Sequence, residues 1–311
     1  MYSKLILASC VLAFFAVVLS AYVRLSDAGL GCADWPACYE NNALKEKHAS
    51  RADATRGYTS WQRKLHSQVV MLLGFLSIAI SVIAWLKRKQ LRQSPLLPSL
   101  LACLMVFLAL FGILAFSHLP RAIIVPVHIA GGVSMLVLLT WMLLRQIPHV
   151  NSIKPANAGQ WHFFSWLGLI LAVIQIMLGG WVSSNFAAIA CTDFPLCRGS
   201  LFPPMDFSYT LDSSGLALTE ERLTAIHWMH RFGAMLILGY LSWLSLRIIK
   251  LGGMKKLGVS ILVLVTLQFG LGISNVLLGL PLVGAVLHNA VAMILVVTLV
   301  LLIFRLQEQR T

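Results

Sequence analysis

A chain of 311 residues that is 59% hydrophobic and only 11% charged cannot bury that much apolar surface in one water-soluble core, so it belongs in a bilayer. Its formal charge of +13 is distributed over loops between apolar runs and not gathered on a soluble module, which excludes a nucleic-acid partner.

Eight apolar runs, each about 18 to 25 residues and so long enough to cross about 30 Å of hydrocarbon as a helix, are expected in chain order. The first, near 5–23, follows Lys4 but is longer than a leader's apolar stretch, so it reads as a membrane helix. A long loop, 24–60, carries Cys32 and Cys38, and the second run, 66–86, opens on His66. Lys87, Arg88, Lys89 and Arg92 separate it from the third, 96–117. A tight hairpin, 118–121, leads to the fourth, 122–144, which holds His128 and is followed by Arg145 and Lys154. The fifth, 161–182, enters a second long loop, 183–222, with Cys191 and Cys197. The sixth, 223–249, holds His230 and Arg231 and ends at Arg247 and Lys250. Lys255 and Lys256 precede the seventh, 257–279, and the eighth, 282–304, holds His288 and is followed by Arg305 and Arg310. Basic residues thus mark one set of short loops as cytoplasmic, and with an even number of crossings both termini are expected there.

Near-copies recur along the chain. "CADWPAC" at 32–38 returns as "CTDFPLC" at 191–197, an offset of 159. "FGILAFSHLPRAIIVPVH" at 111–128 aligns with "LGISNVLLGLPLVGAVLH" at 271–288, and Leu65-His66 aligns more loosely with Met229-His230. The expected architecture is an all-α integral membrane protein built as two tandem, pseudo-symmetric four-helix bundles, residues 1–150 and 151–311, related about an axis along the membrane normal.

Four histidines, His66, His128, His230 and His288, fall at one expected depth, within roughly 10 Å of the outer surface at 1.5 Å per residue. An ionisable residue inside a membrane is a functional suspect. Two histidines on alternate helices of each four-helix unit suit a planar metallocofactor, each imidazole giving one axial nitrogen to haem iron. Zinc competes, but its structural sites want four ligands at one point, commonly with Cys. Arg231 beside His230 is a candidate partner for a haem carboxylate or an interfacial anchor. His227, one turn before His230, is a candidate supporting group.

Each external cysteine pair closes a short Pro-containing loop in a compartment where disulfides persist. A structural disulfide, Cys32 with Cys38 and Cys191 with Cys197, is the first reading; a redox pair and zinc binding across the loops are the alternatives.

The stretches "AYVRLSDAGLGCADWPAC" (21–38), "VHIAGG" (127–132), "GGWVSSNFAAIACTDFPLC" (179–197), "TAIHWMHRFGA" (224–234) and "LGISNVLLGLPLVGAVLHNA" (271–290) together resemble the haem A synthase family over most of the chain. The resemblance implies an oxidoreductase that converts haem O to haem A by oxidising a ring methyl to a formyl group during cytochrome oxidase biogenesis. It implies a resident haem b on His230 and His288 in the C-terminal unit, and substrate haem O held by His66 and His128 in the N-terminal unit. One departure stands out: where the family pattern places Glu one turn before the first histidine, this chain has Arg63, and Ser67 follows His66. A guanidinium cannot relay protons as a carboxylate does. The alternative expectation is therefore a non-catalytic haem-binding or electron-transfer protein on the same scaffold. Either reading places the protein in a bacterial inner membrane with the Cys loops outside, among lipids, with the oxidase assembly machinery and a haem O synthase as neighbours and homo-oligomers compatible with it; the electron donor stays unnamed.

Overall fold

The computed structural model describes residues 1–27, 42–91, 94–114, 121–147, 158–208, 219–251 and 253–308. Among them there is no strand, and eight long helices follow in order: α1 (Tyr2–Asp27), α2 (Asn42–Leu86), α3 (Leu96–Leu114), α4 (Arg121–Leu144), α5 (Ala158–Ser184), α6 (Glu220–Lys250), α7 (Lys255–Leu277) and α8 (Leu282–Glu308). Seven are long and apolar enough to cross a membrane. The exception is α3, whose described apolar stretch, Leu96–Gly112, is shorter; residues 115–117 of the expected third run lie outside the described residues.

Each expected run is a helix, and α2 differs most from expectation. It starts at Asn42, inside what reads as a loop, while its membrane-competent part is Trp61–Leu86. The added stretch is rich in Ala, Lys, Glu and Arg, which favour helix without adding hydropathy. At the start of α6, the Thr219 side chain accepts from the Arg222 N–H, Glu220 and Glu221 occupy the first turn, and Arg247 and Lys250 the last, all in the sense that the helix dipole favours. The α7–α8 turn closes when the Leu280 N–H donates to the Asn275 carbonyl at 2.7 Å, with Gly279 at φ 66° and Pro281 leading into α8.

The packing order carries the architecture. Helix α1 packs on α2, α2 on α3, α3 on α4 and α4 back on α1; the same circuit runs α5, α6, α7, α8 and back to α5. Between the circuits, α4 meets α5, α1 meets α8, and α4 meets α8. The core runs through these central helices, with Leu136, Leu139, Leu241, Leu244, Leu299 and Leu302 all but inaccessible. Phe75, Leu96, Phe163 and Val283 lie exposed on the outside, as expected where the surrounding solvent is hydrocarbon. Several polar side chains inside the helices find partners within the protein: Ser77 donates to the Leu73 carbonyl, and Tyr240 ties α6 to the Phe164 carbonyl of α5 at 2.8 Å.

Candidate functional site

The four histidines form two pairs. His66 on α2 lies within electrostatic reach of His128 on α4, and His230 on α6 within reach of His288 on α8. Their surroundings repeat along with the helices. His66 approaches the main chain at Ala16 of α1. A Cβ on Gly112 of α3 would stand 3.9 Å from His128 Cε1, and one on Gly272 of α7 would stand 3.4 Å from His288 Cε1. In α5, a Cβ on Gly179 would come within 3.1 Å of His230 Cε1, while one on neighbouring Gly180 would meet Ile129 of α4 at 2.7 Å. That glycine pair lets α5 approach a histidine on one side and the other helical circuit on the next.

The two pairs differ in their supports. The Gln175 amide on α5 donates to the His230 carbonyl at 2.8 Å and lies 3.1 Å from its Nδ1. The Gln268 amide on α7 lies 3.1 Å from His288 Nε2. Shifted back by the repeat, Gln175 corresponds to Ala16 and Gln268 to Leu108, so the N-terminal unit has apolar residues at those two places. The Nδ1 atoms of His66, His128 and His288 are buried without a partner. Both glutamines escaped the sequence reading, although a polar residue within an apolar span was itself the signal.

Over the C-terminal pair lies the segment from Ala187 to Ser208, stapled by the Cys191–Cys197 disulfide. Cys32 and Cys38 lie outside the described residues. Arg231 reaches into this segment from α6. Its Nη1 donates to the carbonyls of Asp193 (2.8 Å) and Leu196 (2.9 Å), Nη2 to that of Cys191 (2.7 Å), and Nε to His227 Nε2 (3.2 Å). Of the two expected roles of Arg231, the structure shows contacts of the anchoring kind: most of its five donors hold the disulfide loop. His227 is correspondingly its acceptor, and it also lies against the Ala187 main chain and within electrostatic reach of His230. Burial opposes ionisation of Asp193, yet the Gly199 and Arg198 N–H groups, which its carboxylate accepts at 2.8 and 2.7 Å, hold its pKa below the usual value. Phe194 packs edge-on against Phe269 of α7, next to Gln268.

Imidazole pairs on opposed helices, ring nitrogens left unpartnered in the interior, and glycine main chain facing three of the four rings are together a donor set that fits haem. The Gln268 amide and His288 Nε2 stand 3.1 Å apart, with the donor set by the tautomer of the ring. Among the described residues no three of His, Cys, Asp and Glu gather as a metal cluster.

The chain matches the family described as cytochrome oxidase assembly protein over residues 3–300. It is similar to a haem A synthase of Shewanella oneidensis, 32% identical over 308 residues, covering 93% of this chain and 92% of the relative. A haem A synthase of Halalkalibacterium halodurans is 27% identical over 300 residues (93% and 92%). One from the Wolbachia of Culex pipiens is 26% identical over 314 residues (90% and 89%).

Proposed function

The chain belongs to the cytochrome oxidase assembly protein family, and we infer that it is an oxidoreductase acting as a haem A synthase in cytochrome oxidase biogenesis. It is a multi-pass integral protein of a bacterial membrane, as its seven membrane-competent helices and its bacterial relatives indicate. In our reading all eight long helices cross, both termini face the cytoplasm, and the disulfide loop lies outside, in the inner membrane.

The observation that carries the assignment of the two sites is the uneven support of the histidine pairs. His230 and His288, each with a glutamine at hydrogen-bond distance, are pre-set for a permanent guest, and we assign them a resident haem b. For His66 and His128 the repeat places Ala16 and Leu108 where those glutamines stand, which suits a guest that enters and leaves; we assign them substrate haem O. On this reading residues 1–150 form the substrate unit and 151–311 the resident-haem unit.

When bound, the resident haem supplies the one-electron and oxygen chemistry that side chains cannot. The protein's part is placement. His66 and His128 fix the substrate's plane between α2 and α4, so that one ring methyl, and not another, is presented for oxidation to formyl. Arg231 and the disulfide loop cap the C-terminal pair and exclude water from it. Arg63 stands one turn before His66 on α2, so the substrate site carries a guanidinium where the family pattern has Glu. The alternative of a non-catalytic haem protein has no observation that favours it over the enzyme.

Reduced-minus-oxidised spectra of purified variants test the assignment. His288→Ala should remove the resident b-type signal, whereas His128→Ala should retain it and lose only added haem; the reverse pattern would exchange the two units.

A further inference from the structure

Arg24 lies in the last turn of α1, and neither histidine pair uses it. Its Nε is buried and has no partner. Its Nη2 donates to Asn289 Oδ1 of α8 at 3.3 Å, the only hydrogen bond found for this side chain among the described residues. The ion pairs among the described residues, Arg198 with Glu220 and Arg222 with Asp206, do not involve it. It stands within electrostatic reach of His128.

A guanidinium carries five donors, and holding one inside a membrane protein on a single neutral acceptor is unfavourable unless an anion arrives. A planar carboxylate is the anion whose geometry matches the fork. The two site arginines also differ in availability. Arg231 is engaged by three loop carbonyls and His227, whereas Arg24 is not. Shifted forward by the repeat offset, position 24 corresponds to Ser183, which merely donates to the Gly180 carbonyl at 2.9 Å. Among the described residues the unsatisfied cation is therefore found at the N-terminal site alone.

We propose that Arg24 is the carboxylate anchor of the N-terminal site, taking a propionate of the haem held between His66 and His128. Through Asn289, the neighbour of His288, the same side chain joins that site to α8, where the other pair begins. This rests on the assignment of substrate haem to His66 and His128, and it adds a residue that sets the rotation of the porphyrin within its plane, hence which methyl is presented.

The test uses the purified full chain with its resident haem in place. It is titrated with ferric haem b and, separately, with haem b dimethyl ester, whose propionates carry no charge. Uptake is followed by Soret absorbance, with His128→Ala defining the signal from the N-terminal site. Arg24→Gln should weaken binding of the free acid by about 10- to 100-fold, the range of a charge-assisted hydrogen bond, and leave the ester unchanged. Arg24→Lys should restore part of the loss. An unchanged resident spectrum and elution profile show that the variant is folded. Equal weakening of both ligands would make Arg24 only a brace between α1 and α8 and overturn the proposal, as would no weakening of either. Were the unaltered protein to take up no haem sensitive to His128→Ala, the assignment of that site would fail before Arg24 was tested.

Discussion

The Gln175 amide nitrogen on α5 donates to the main-chain carbonyl of His230 at 2.8 Å and stands 3.1 Å from the same residue's Nδ1. One side chain thus fixes both the backbone and the ring orientation of a proposed axial ligand. Outer partners of metal ligands are typically worth 10- to 100-fold in affinity. Gln175→Leu should therefore lower retention of resident haem by about that factor, read as haem per polypeptide after dialysis against a haem scavenger. Full retention would show that the glutamine does not hold the ring.

Gly233 makes that arrangement sterically feasible. A Cβ there would lie 2.3 Å from Gln175 Oε1, whereas one on Gly239, on the same helix, would meet nothing within 4 Å. Gly233→Ala should destabilise by about 1–3 kcal/mol through overpacking and reproduce the haem loss of Gln175→Leu, with little further effect when the two are combined. Gly239→Ala should be neutral or stabilising by up to about 1 kcal/mol, since alanine is the better helix former. Thermal inactivation in detergent, run on the four variants and the unaltered protein, would separate these outcomes.

Arg231→Ala removes the donors to the Cys191, Asp193 and Leu196 carbonyls at once. The Cys191–Cys197 bridge, now 1–2% exposed at both residues, should become reducible by mild dithiothreitol and label with a maleimide at least about tenfold faster, the equivalent of losing about 1.4 kcal/mol of closure. Labelling at the unaltered rate would mean that the loop is held by other contacts.

Much of this was legible beforehand. A bilayer enforces long apolar helices, so the eight runs announced themselves, and the repeat paired His128 with His288 at an offset of 160 and, more loosely, His66 with His230 at 164. The extension of α2 back to Asn42 was not legible from hydropathy, because its residues favour helix while being polar. Nor was the clamp at Arg231, which depends on carbonyls 35 to 40 residues away being folded over α6. Gln175, Gln268 and Arg24 could have been found by treating every polar residue in an apolar run as histidine was treated. Their partners, however, come from neighbouring helices and needed the packing.

The segment around Asp206 should respond to acid in a definite window. The Ser208 hydroxyl, then the Arg222 guanidinium at 2.9 Å, lower the Asp206 pKa from 3.8 to about 2. A depressed carboxylate stabilises the fold fully above its unfolded value of about 3.9 and loses that contribution as pH falls through about 2. Pepsin cleavage between residues 200 and 208 should rise as pH drops from about 4 to about 2, faster than on a matched peptide. Asp206→Asn should cleave readily across that range; if it shows the same pH dependence, another group controls the segment.

The central claim is conversion of haem O to haem A by this chain, with Arg63 at the place of the family's Glu. The direct measurement is to express the protein in membranes supplied with haem O, extract the non-covalent haems, and separate them by chromatography with mass detection. The account predicts haem A, or its hydroxymethyl precursor, in membranes with the protein and not in those with His128→Ala. Bound haem b with only unchanged haem O would contradict it and leave a haem carrier on a synthase scaffold.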